Sequence, residues 1–495
     1  MPKIVPCPAC RTGLLARRGD PLCLTCGKTA REMPPRPLWL FDSPLLRQAL
    51  AEVNLPAVPA IVRAACGLSQ RDLATMVGWS PAVLSYYERG ARDGLFDIRT
   101  ALQFADAVGM PREALLPLVL ADPDAGPAAG DGMGMDPSRR GSGGLAAAAG
   151  AAVVLSPASV PRTVSISHVR YWRACTDVLY AQGHAVGGTV LLAPALQQWQ
   201  RVRLALKEGA AGETSRLLRA VAAEVAVSTG WVALDARCLP LARRLYEQAA
   251  GLAAGAGDAV LAVHVLTSQS LLCAEMASAS PGQELARQAL RLAFQAQEEG
   301  RYLPIPKLHV LIALRHASAA ALLADKTAFQ AAISQARREL DRGPRDGAPP
   351  EWLRFVDEAE ITAVEARGYL NLGDADHSVR LYQQALDCGL SPLSRVSYGA
   401  GLADALLKQD APGESVTAAM EALSAFEAGV TSLRCLDQLR LVRQAVGSAP
   451  STQEFRERFD AIDRALAASY GLPGDDAPQA TARIPASPHD TGTAA

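Results

Sequence analysis

The sequence predicts a mainly α-helical protein with a small cysteine module, a compact bundle of short helices and a long array of paired helices. Hydrophobic residues make up 49% of the chain but aromatic residues only 5%, so its apolar surface comes mainly from Ala and Leu, which favour helices. Residues 165–470 show helical periodicity without strand-like alternation. Residues 57–118 instead hold short apolar segments separated by Gly, Ser and Pro. A chain of 495 residues exceeds one hydrophobic core, so we expect separate domains.

Four of the ten cysteines lie near the start of the chain as two close pairs. Two residues separate Cys7 from Cys10 and Cys23 from Cys26, and twelve lie between the pairs. Such pairs can complete a tetrahedral zinc site, and four cysteines leave no open position for a catalytic water. We therefore predict a zinc ribbon over residues 1–30 with one structural Zn²⁺. The other six cysteines are scattered through helical sequence, which favours thiols in a reducing compartment over a disulfide framework.

Residues 57–118 contain helix-capping and helix-ending residues at short intervals, a pattern typical of short helices in close succession. Gly67 is placed to end the first helix, and Ser69 to cap a second that runs from Gln70 to Val77. Ser80 is placed to cap a third helix, with a proline at its first position. This pattern predicts a helix-turn-helix, in which a scaffold helix crosses the DNA backbone and a recognition helix lies in the major groove.

The same segment resembles the XRE family of repressor-like helix-turn-helix proteins. The resemblance rests on GLSQ at 67–70, the Leu-Ala pair at 73–74 and Tyr-Glu-Arg-Gly at 87–90. It implies an ion pair between Arg63 of the first helix and Glu88 near the end of the third. A partly buried pair of this kind would lock the two helices together.

The resemblance also implies which residues contact DNA. The predicted set is Gln70, Ser80, Pro81, Ala82, Ser85, Tyr86 and Arg89. Gln70 would hold a phosphate at a helix N-terminus, and Arg89 would contact phosphate or belong to the solvated surface. Pro81 and Ala82 offer no hydrogen bond to a base edge, so readout would depend on Ser85, Tyr86 and DNA shape. A bundle kept for protein contacts after losing DNA binding is the alternative.

Five segments between residues 229 and 426 resemble one another, each reading as a helix, a short turn and a second helix. Equivalent small positions, spaced by 40, 47, 49 and 37 residues, are Ala249, Ala289, Ala336, Ala385 and Ala422. The pattern is similar to tetratricopeptide repeats with inserted loops and predicts an α-solenoid over 165–470. An irregular all-helical domain is the alternative.

Particular side chains are expected to shape the packing of these hairpins. Small residues would let paired helices approach closely, namely Ala242, Ala286 and Ala328. Two large ones, Tyr246 and Tyr382, would fill the space between hairpins. The concave surface of such a solenoid is expected to take a ligand or a protein.

Two segments are expected to lack a core of their own, a flexible linker at 121–160 and a disordered tail at 471–495. The linker begins with a stretch rich in Gly, Asp and Pro, which predicts loose coupling between the domains. Its apolar run at 145–155 has 11 residues, whereas a membrane span needs about 20. The chain starts without the pattern of a secretory signal. We therefore expect a cytoplasmic, nucleoid-associated protein without membrane contact.

Together these features predict a DNA-binding transcription regulator of a bacterial developmental or metabolic pathway. Its partners would be double-stranded DNA, a second copy of the chain, and a peptide, small-molecule or protein effector on the repeat domain. Such a combination resembles bacterial regulators of sporulation, secondary metabolism and peptide signalling. The rival is a scaffold protein that sequesters a partner without sequence-specific DNA binding. An enzyme is not expected, because neither a phosphate-cradling glycine loop nor a Ser, His and Asp set is recognisable.

Overall fold

The computed structural model describes residues 7–10, 20–26, 44–52, 54–91, 98–110, 164–278, 282–343, 349–447 and 450–470. Within these ranges the protein is helical and contains no strand, as expected for the predicted mainly α fold class. The predicted linker at 121–160 and the predicted tail at 471–495 lie outside the described residues.

Five helices form a compact bundle in the first part of the chain. They are α1 (Pro44–Ala51), α2 (Ala57–Cys66), α3 (Gln70–Val77), α4 (Pro81–Glu88) and α5 (Ile98–Val108). Helix α2 lies at the centre, since all of its residues except Ala65 are buried. Trp79 lies between α3 and α4, with ring centroids 4.9 Å from Tyr87 and 6.1 Å from Phe104 of α5. These aromatic contacts tie α4 and α5 to one core.

Capping residues set the ends of these helices at the positions that the Gly, Ser and Pro pattern predicts. Gly67 and Gly78 adopt the left-handed conformation, with φ of 62° and 78°, which glycine reaches without a Cβ clash. Ser69 Oγ accepts from the Asp72 amide at 3.1 Å while the Asp72 carboxylate accepts from the Ser69 amide at 3.1 Å, forming a capping box. Ser80 Oγ caps α4 by accepting from the third amide beyond it at 3.3 Å. Local chemistry thus accounts for the turn between α3 and α4.

The described residues from 164 to 470 form a second, larger array of helices. They are α6 (Ile166–Val186), α7 (Leu192–Glu208), α8 (Gly212–Asp235), α9 (Leu239–Ala256), α10 (Ala259–Ser278), α11 (Glu284–Gly300), α12 (Pro306–Leu322), α13 (Lys326–Asp341), α14 (Glu358–Asn371), α15 (Ala375–Leu386), α16 (Pro392–Lys408), α17 (Pro412–Glu427), α18 (Leu433–Ala445) and α19 (Gln453–Tyr470). Helices α8 to α17 pack as five consecutive hairpins. The five similar sequence segments coincide with these hairpins.

Glycines facing aromatic rings bring neighbouring helices together. A Cβ on Gly230 of α8 would lie 2.5 Å from the Tyr246 ring of α9, and one on Gly401 of α16 would lie 2.4 Å from the Tyr382 ring of α15. Both tyrosines are fully buried. Tyr382 meets a glycine of the next hairpin, as expected for a residue between hairpins, whereas the glycine that Tyr246 meets belongs to its own hairpin. Any larger residue at either glycine would force the ring out of its position.

One residue expected at a close helix approach is placed differently. Ala242 and Ala286 are buried, but Ala328 of α13 is exposed. The next residue along the helix, Phe329, is buried in its place. A shift of one residue turns a side chain by about 100° around the helix axis, which moves it from the contact face to solvent. The small residue that meets Phe329 is Gly368 of α14, the first helix of the next hairpin, where a Cβ would lie 2.2 Å from the Phe329 ring.

The array closes on itself, because its first helices contact its last. The Thr431 amide before α18 donates to the Val186 carbonyl at 2.7 Å, and the Thr189 amide donates to the Thr431 carbonyl at 2.9 Å. Asp235, fully buried at the end of α8, accepts from Ser432 Oγ at 2.8 Å and from Arg434 Nε at 3.1 Å. The concave surface predicted for the solenoid therefore lines a cavity that is only partly open to solvent.

Two described helices, α8 and α10, are long and apolar enough to cross a membrane by length and composition. Both are members of hairpins, and 78% and 44% of their most apolar windows are buried within the protein. Packing in the array therefore accounts for the apolar character of α8. The less buried α10 also lines the cavity.

Candidate nucleic-acid interface

Glu88, at the end of α4, is held by side chains of two other helices. Arg63 of α2 donates from Nε to Glu88 Oε1 at 2.7 Å and from Nη2 to Oε2 at 3.2 Å. Gln70 of α3 donates from Nε2 to Oε2 at 2.6 Å, and Arg63 Nη1 also donates to the Leu68 carbonyl at 3.2 Å. The side chains of Arg63 and Glu88 are 2% and 6% exposed. This buried network sets the positions of α2, α3 and α4 relative to one another.

The outer face of α4 presents the residues predicted to read bases. Pro81 and Ala82 are exposed, Ser85 is half-buried and Tyr86 is 41% exposed. Arg89 follows the helix, with its guanidinium 5.1 Å from the centre of the Tyr86 ring and its Nε donating to the Ser85 carbonyl at 2.9 Å. The charge of Arg89 is therefore placed over the aromatic ring at the C-terminal end of this face.

Two predicted DNA contacts, Gln70 and Ser80, also have roles within the protein. The Gln70 amide nitrogen binds Glu88, so the side chain is partly committed to the core network. Ser80 Oγ accepts the capping bond of α4, which leaves its hydroxyl proton able to donate outward. Sequence reasoning placed both at the right ends of α3 and α4 but did not foresee the bond from Gln70 to Glu88.

The four N-terminal cysteines come together as their spacing predicts. Their sulfur atoms all lie within 4.8 Å of one another, and Cys10 Sγ is 3.8 Å from Cys23 Sγ. A tetrahedral zinc site with Zn–S bonds of about 2.3 Å places its sulfurs about 3.8 Å apart. Burial raises the pKa of Cys7 and of Cys26, and a bound cation reverses such a shift by favouring thiolates. The four residues therefore fit a metal ion held by sulfur.

This cysteine cluster packs against the helix bundle. Asn54, 6% exposed between α1 and α2, donates from Nδ2 to the carbonyls of Pro8 and Ala9 at 3.2 and 3.4 Å. Cys7 and Leu22 belong to the same buried cluster as the residues of α2. A metal at the cysteines would therefore hold this loop on the bundle. Residues 1–6, 11–19 and 27–30 of the predicted ribbon lie outside the described part of the chain.

The helix bundle is docked directly on the repeat array through the C-terminus of α5. Tyr171 of α6 donates to the Val108 carbonyl, and Arg201 of α7 donates from Nη2 to the Asp106 carbonyl at 2.6 Å. These carbonyls lie in the last turn of α5, where no intrahelical donor remains. Gly109 follows with φ of 76°, and a Cβ there would lie 1.8 Å from Arg201 Nη1. The loose coupling expected from the linker composition is therefore wrong for this structure, because folded surfaces meet directly.

A second part of the contact involves Asp72, a residue that sequence reasoning did not single out. Ser167 Oγ of α6 donates to Asp72 Oδ1 at 2.8 Å, and Arg170 Nη1 lies 3.3 Å from the same oxygen. Burial alone would raise the pKa of the Asp72 carboxyl, but the hydrogen bonds from Ser69 and Ser167 together with Arg170 lower it. The Ser-x-x-Asp spacing could have identified the capping box. Nothing local predicts a partner nearly a hundred residues away.

A pair of buried thiols completes the contact between the bundle and the array. Cys66 ends α2 and Cys175 lies in α6, and both are buried. The adjacent Cys175 thiol, together with burial, raises the pKa of Cys66 well above its usual value. Cys66 therefore behaves as a packed thiol rather than as a reactive thiolate.

A family model described as a helix-turn-helix domain matches residues 60–118. The protein carries a helix-turn-helix domain. The match covers α2 to α5, including the Arg63–Glu88 pair and the exposed face of α4. A comparison of the chain with curated proteins found no match. The helix-turn-helix domain indicates DNA binding.

Proposed function

We propose that the protein is a transcription regulator of the XRE type that binds double-stranded DNA through α4. The observation that carries this proposal is the exposed face of α4, held on a buried Arg63–Glu88 pair within the matched domain. A rigid helix that presents one exposed face is what docking in the major groove requires. The same scaffold provides α3 to cross the DNA backbone.

Each predicted contact has a distinct task in this proposal. Ser85 and Tyr86 supply the hydrogen-bonding groups for base edges, while Pro81 and Ala82 provide apolar contact with thymine methyl groups. Arg89 binds phosphate as the cation of this face. With few polar groups on α4, specificity depends in part on DNA shape.

Gln70 and Ser80 contribute at the backbone of the DNA. Gln70 starts α3 and Ser80 caps α4, so each stands at a helix N-terminus, where free amides and the helix dipole favour a phosphate. The bond from Gln70 to Glu88 leaves its second amide hydrogen and its backbone amide for this contact. Together the two residues would set the register of α4 in the groove.

The other modules serve this DNA-binding unit. The cysteine cluster binds structural Zn²⁺ and braces the bundle through Asn54. The tetratricopeptide-like array binds an effector and supports a homodimer, which doubles the half-site and raises affinity. On this proposal the protein is not an enzyme, and it acts in the cytoplasm at the nucleoid in a developmental or metabolic pathway. Direct docking of the bundle on α6 couples effector binding to DNA binding.

The salt dependence of DNA affinity tests the proposal. Binding of the full chain to a labelled duplex of mixed sequence should weaken steadily as salt rises, because phosphate contacts release counterions. Arg89→Ala should reduce the slope of log affinity against log salt by about 0.9. The control Arg301→Ala removes an exposed arginine of the array, 54% exposed, and should leave the slope unchanged. An affinity that does not depend on salt, or equal slopes for both variants, would contradict the proposal.

A further inference from the structure

The array holds a cavity of about 190 Å³ that is partly open to solvent. Its walls are α6 and the first helix of each hairpin, with the short helix Glu351–Leu353 and Arg434 of α18. An engineered cavity of about 150 Å³ in another protein holds one benzene ring. The cavity therefore suits a compact molecule of one ring with a short substituent, and it is too small for an extended peptide.

Three arginines and two acidic side chains line this cavity, and two of the arginines have carboxylates within ion-pair distance. Glu275 lies 3.6 Å from Arg367 Nη1 and 3.8 Å from Arg434 Nη1. Arg434 also pairs with Asp235 at 3.1 Å. These contacts leave Arg367 and Arg434 balanced by two carboxylates.

Arg315 of α12 differs from these two arginines, because the carboxylates that act on it, Glu360 and Glu275, lie beyond ion-pair distance. It is 9% exposed, and its Nε donates to the Thr267 carbonyl at 3.1 Å. Among the described residues no carboxylate makes an ion-pair contact with it. Glu360 on the cavity wall instead accepts from the Tyr398 hydroxyl at 2.7 Å, and burial raises its pKa. A buried guanidinium without a contacting anion is costly, so an anionic ligand beside Arg315 would be stabilising.

Aromatic side chains form another part of the cavity wall. His264 stacks on Trp352 with centroids 3.7 Å apart and planes within 1°. Burial lowers the pKa of His264 to about 3, so the imidazole is neutral. Its Nε2 lies 3.5 Å from the Tyr180 hydroxyl, and its buried Nδ1 has no partner in the described chain. When Tyr180 donates to Nε2, Nδ1 carries the proton and needs an acceptor.

Trp231 of α8 also lines the cavity. We propose that this cavity binds a small aromatic carboxylate, with the carboxylate at Arg315 and the ring against Trp352 and Trp231. The guanidinium would bind both carboxylate oxygens, and the ring would bury its faces among aromatic side chains. This inference rests on the proposed function, since it names the chemical class of the effector.

The position of α6 connects such a ligand to DNA binding. Tyr180 and His184 of α6 line the cavity, while Ser167 and Tyr171 of the same helix contact the helix-turn-helix bundle. A ligand that moves one end of α6 therefore acts on the other end through a single rigid element. Arg434 offers a second route, because its partner Asp235 holds the closed ends of the array.

Calorimetric titration with matched probe pairs tests the inference on the full chain. The pairs are benzoate with benzyl alcohol, 3-phenylpropionate with 3-phenylpropanol, and indole-3-acetate with tryptophol. At least one acid should bind with one site per chain and at least about tenfold more tightly than its alcohol, equivalent to about 1.4 kcal/mol. If no acid binds more tightly than its alcohol, the inference is overturned.

Two variants locate the binding site. Arg315→Gln removes the cation and should weaken the preferred acid at least tenfold without weakening the alcohol. Ser318→Phe places a ring in the cavity while keeping Arg315, so it should abolish binding of both even if Arg315→Gln fails to fold. Arg301→Gln is the control, and circular dichroism checks folding. Acid binding that survives Ser318→Phe would place the site elsewhere and overturn the inference.

The same samples separate this inference from the proposed function. Salt-dependent DNA binding is measured without any probe. If DNA binding is intact while no acid binds, the ligand inference alone fails. If an acid binds at Arg315 while DNA binding is absent, the cavity assignment stands and the regulator proposal fails.

Discussion

Loss of the Arg63 side chain should destabilise the helix-turn-helix bundle while leaving the repeat array intact. In Arg63→Ala, Glu88 keeps Gln70 as its partner but loses both bonds to the guanidinium, at 2.7 and 3.2 Å. The Leu68 carbonyl loses its donor as well. The carboxylate, 6% exposed, is then a poorly compensated buried charge.

The expected cost follows from this geometry. Removing one partner of a buried pair costs about 3–5 kcal/mol, a large part of the roughly 5–15 kcal/mol that stabilises a whole domain. The double variant Arg63→Met, Glu88→Leu removes both charges and fills the space, so it should recover most of that loss. Arg301→Ala breaks an exposed pair with Glu298 and should cost less than about 0.5 kcal/mol.

Hydrogen exchange followed by mass spectrometry measures this effect separately for each region. Amides of α2 to α4 should lose protection by roughly a hundredfold to several thousandfold in Arg63→Ala, since about 1.4 kcal/mol corresponds to a factor of ten. Amides of α12 to α17 should not change. Equal protection of α2 to α4 in Arg63→Ala and Arg301→Ala, or no recovery in a folded double variant, would refute the reasoning.

Three further predictions concern the metal, the docking contact and a buried histidine. Chelation or Cys23→Ser should release one zinc per chain and speed hydrogen exchange in α1 and α2. The control Cys388→Ser changes an exposed thiol and should do neither. Protein that contains no zinc after purification under reducing conditions would contradict this prediction. If a protease site is inserted near residue 130, the two fragments should elute together after cleavage. The double variant Tyr171→Phe, Arg201→Ala should separate them, because these substitutions remove the donors to the end of α5. Separation of the fragments without these substitutions would exclude the docking. The free energy of unfolding of the protein relative to His264→Gln should fall by about 2 kcal/mol from pH 7.5 to pH 5, because the unfolded histidine takes up a proton near pH 6.5 while the folded pKa is about 3. Urea unfolding at the two pH values measures this difference, and an unchanged difference would show that His264 is not buried as a neutral ring.

The features predictable from the sequence are those set by near neighbours. Ser69 and Ser80 mark helix starts because the amides they cap lie three residues away. The two Cys-x-x-Cys turns bring four sulfurs together because the chemistry of the ion requires that set. The hairpins follow from helical periodicity interrupted by short turns.

The features that the sequence did not predict depend on distant partners. The bond between Thr431 and Val186 closes the array over nearly 250 residues, and no local pattern encodes it. Asp72 carries a capping signal but no sign of Ser167. The composition of the linker describes only the connection between the domains, so it could not reveal that their folded surfaces dock.

Selection of bound duplexes from a random-sequence library tests sequence-specific recognition by α4 most directly. The full chain should enrich a shared motif, each position of which is worth about 1–3 kcal/mol. The double variant Ser85→Ala, Tyr86→Ala should lose or alter that motif while keeping salt-dependent binding, because Arg89 and the buried Arg63–Glu88 pair remain. No enriched motif from the full chain, or an identical motif from the double variant, would contradict recognition through α4.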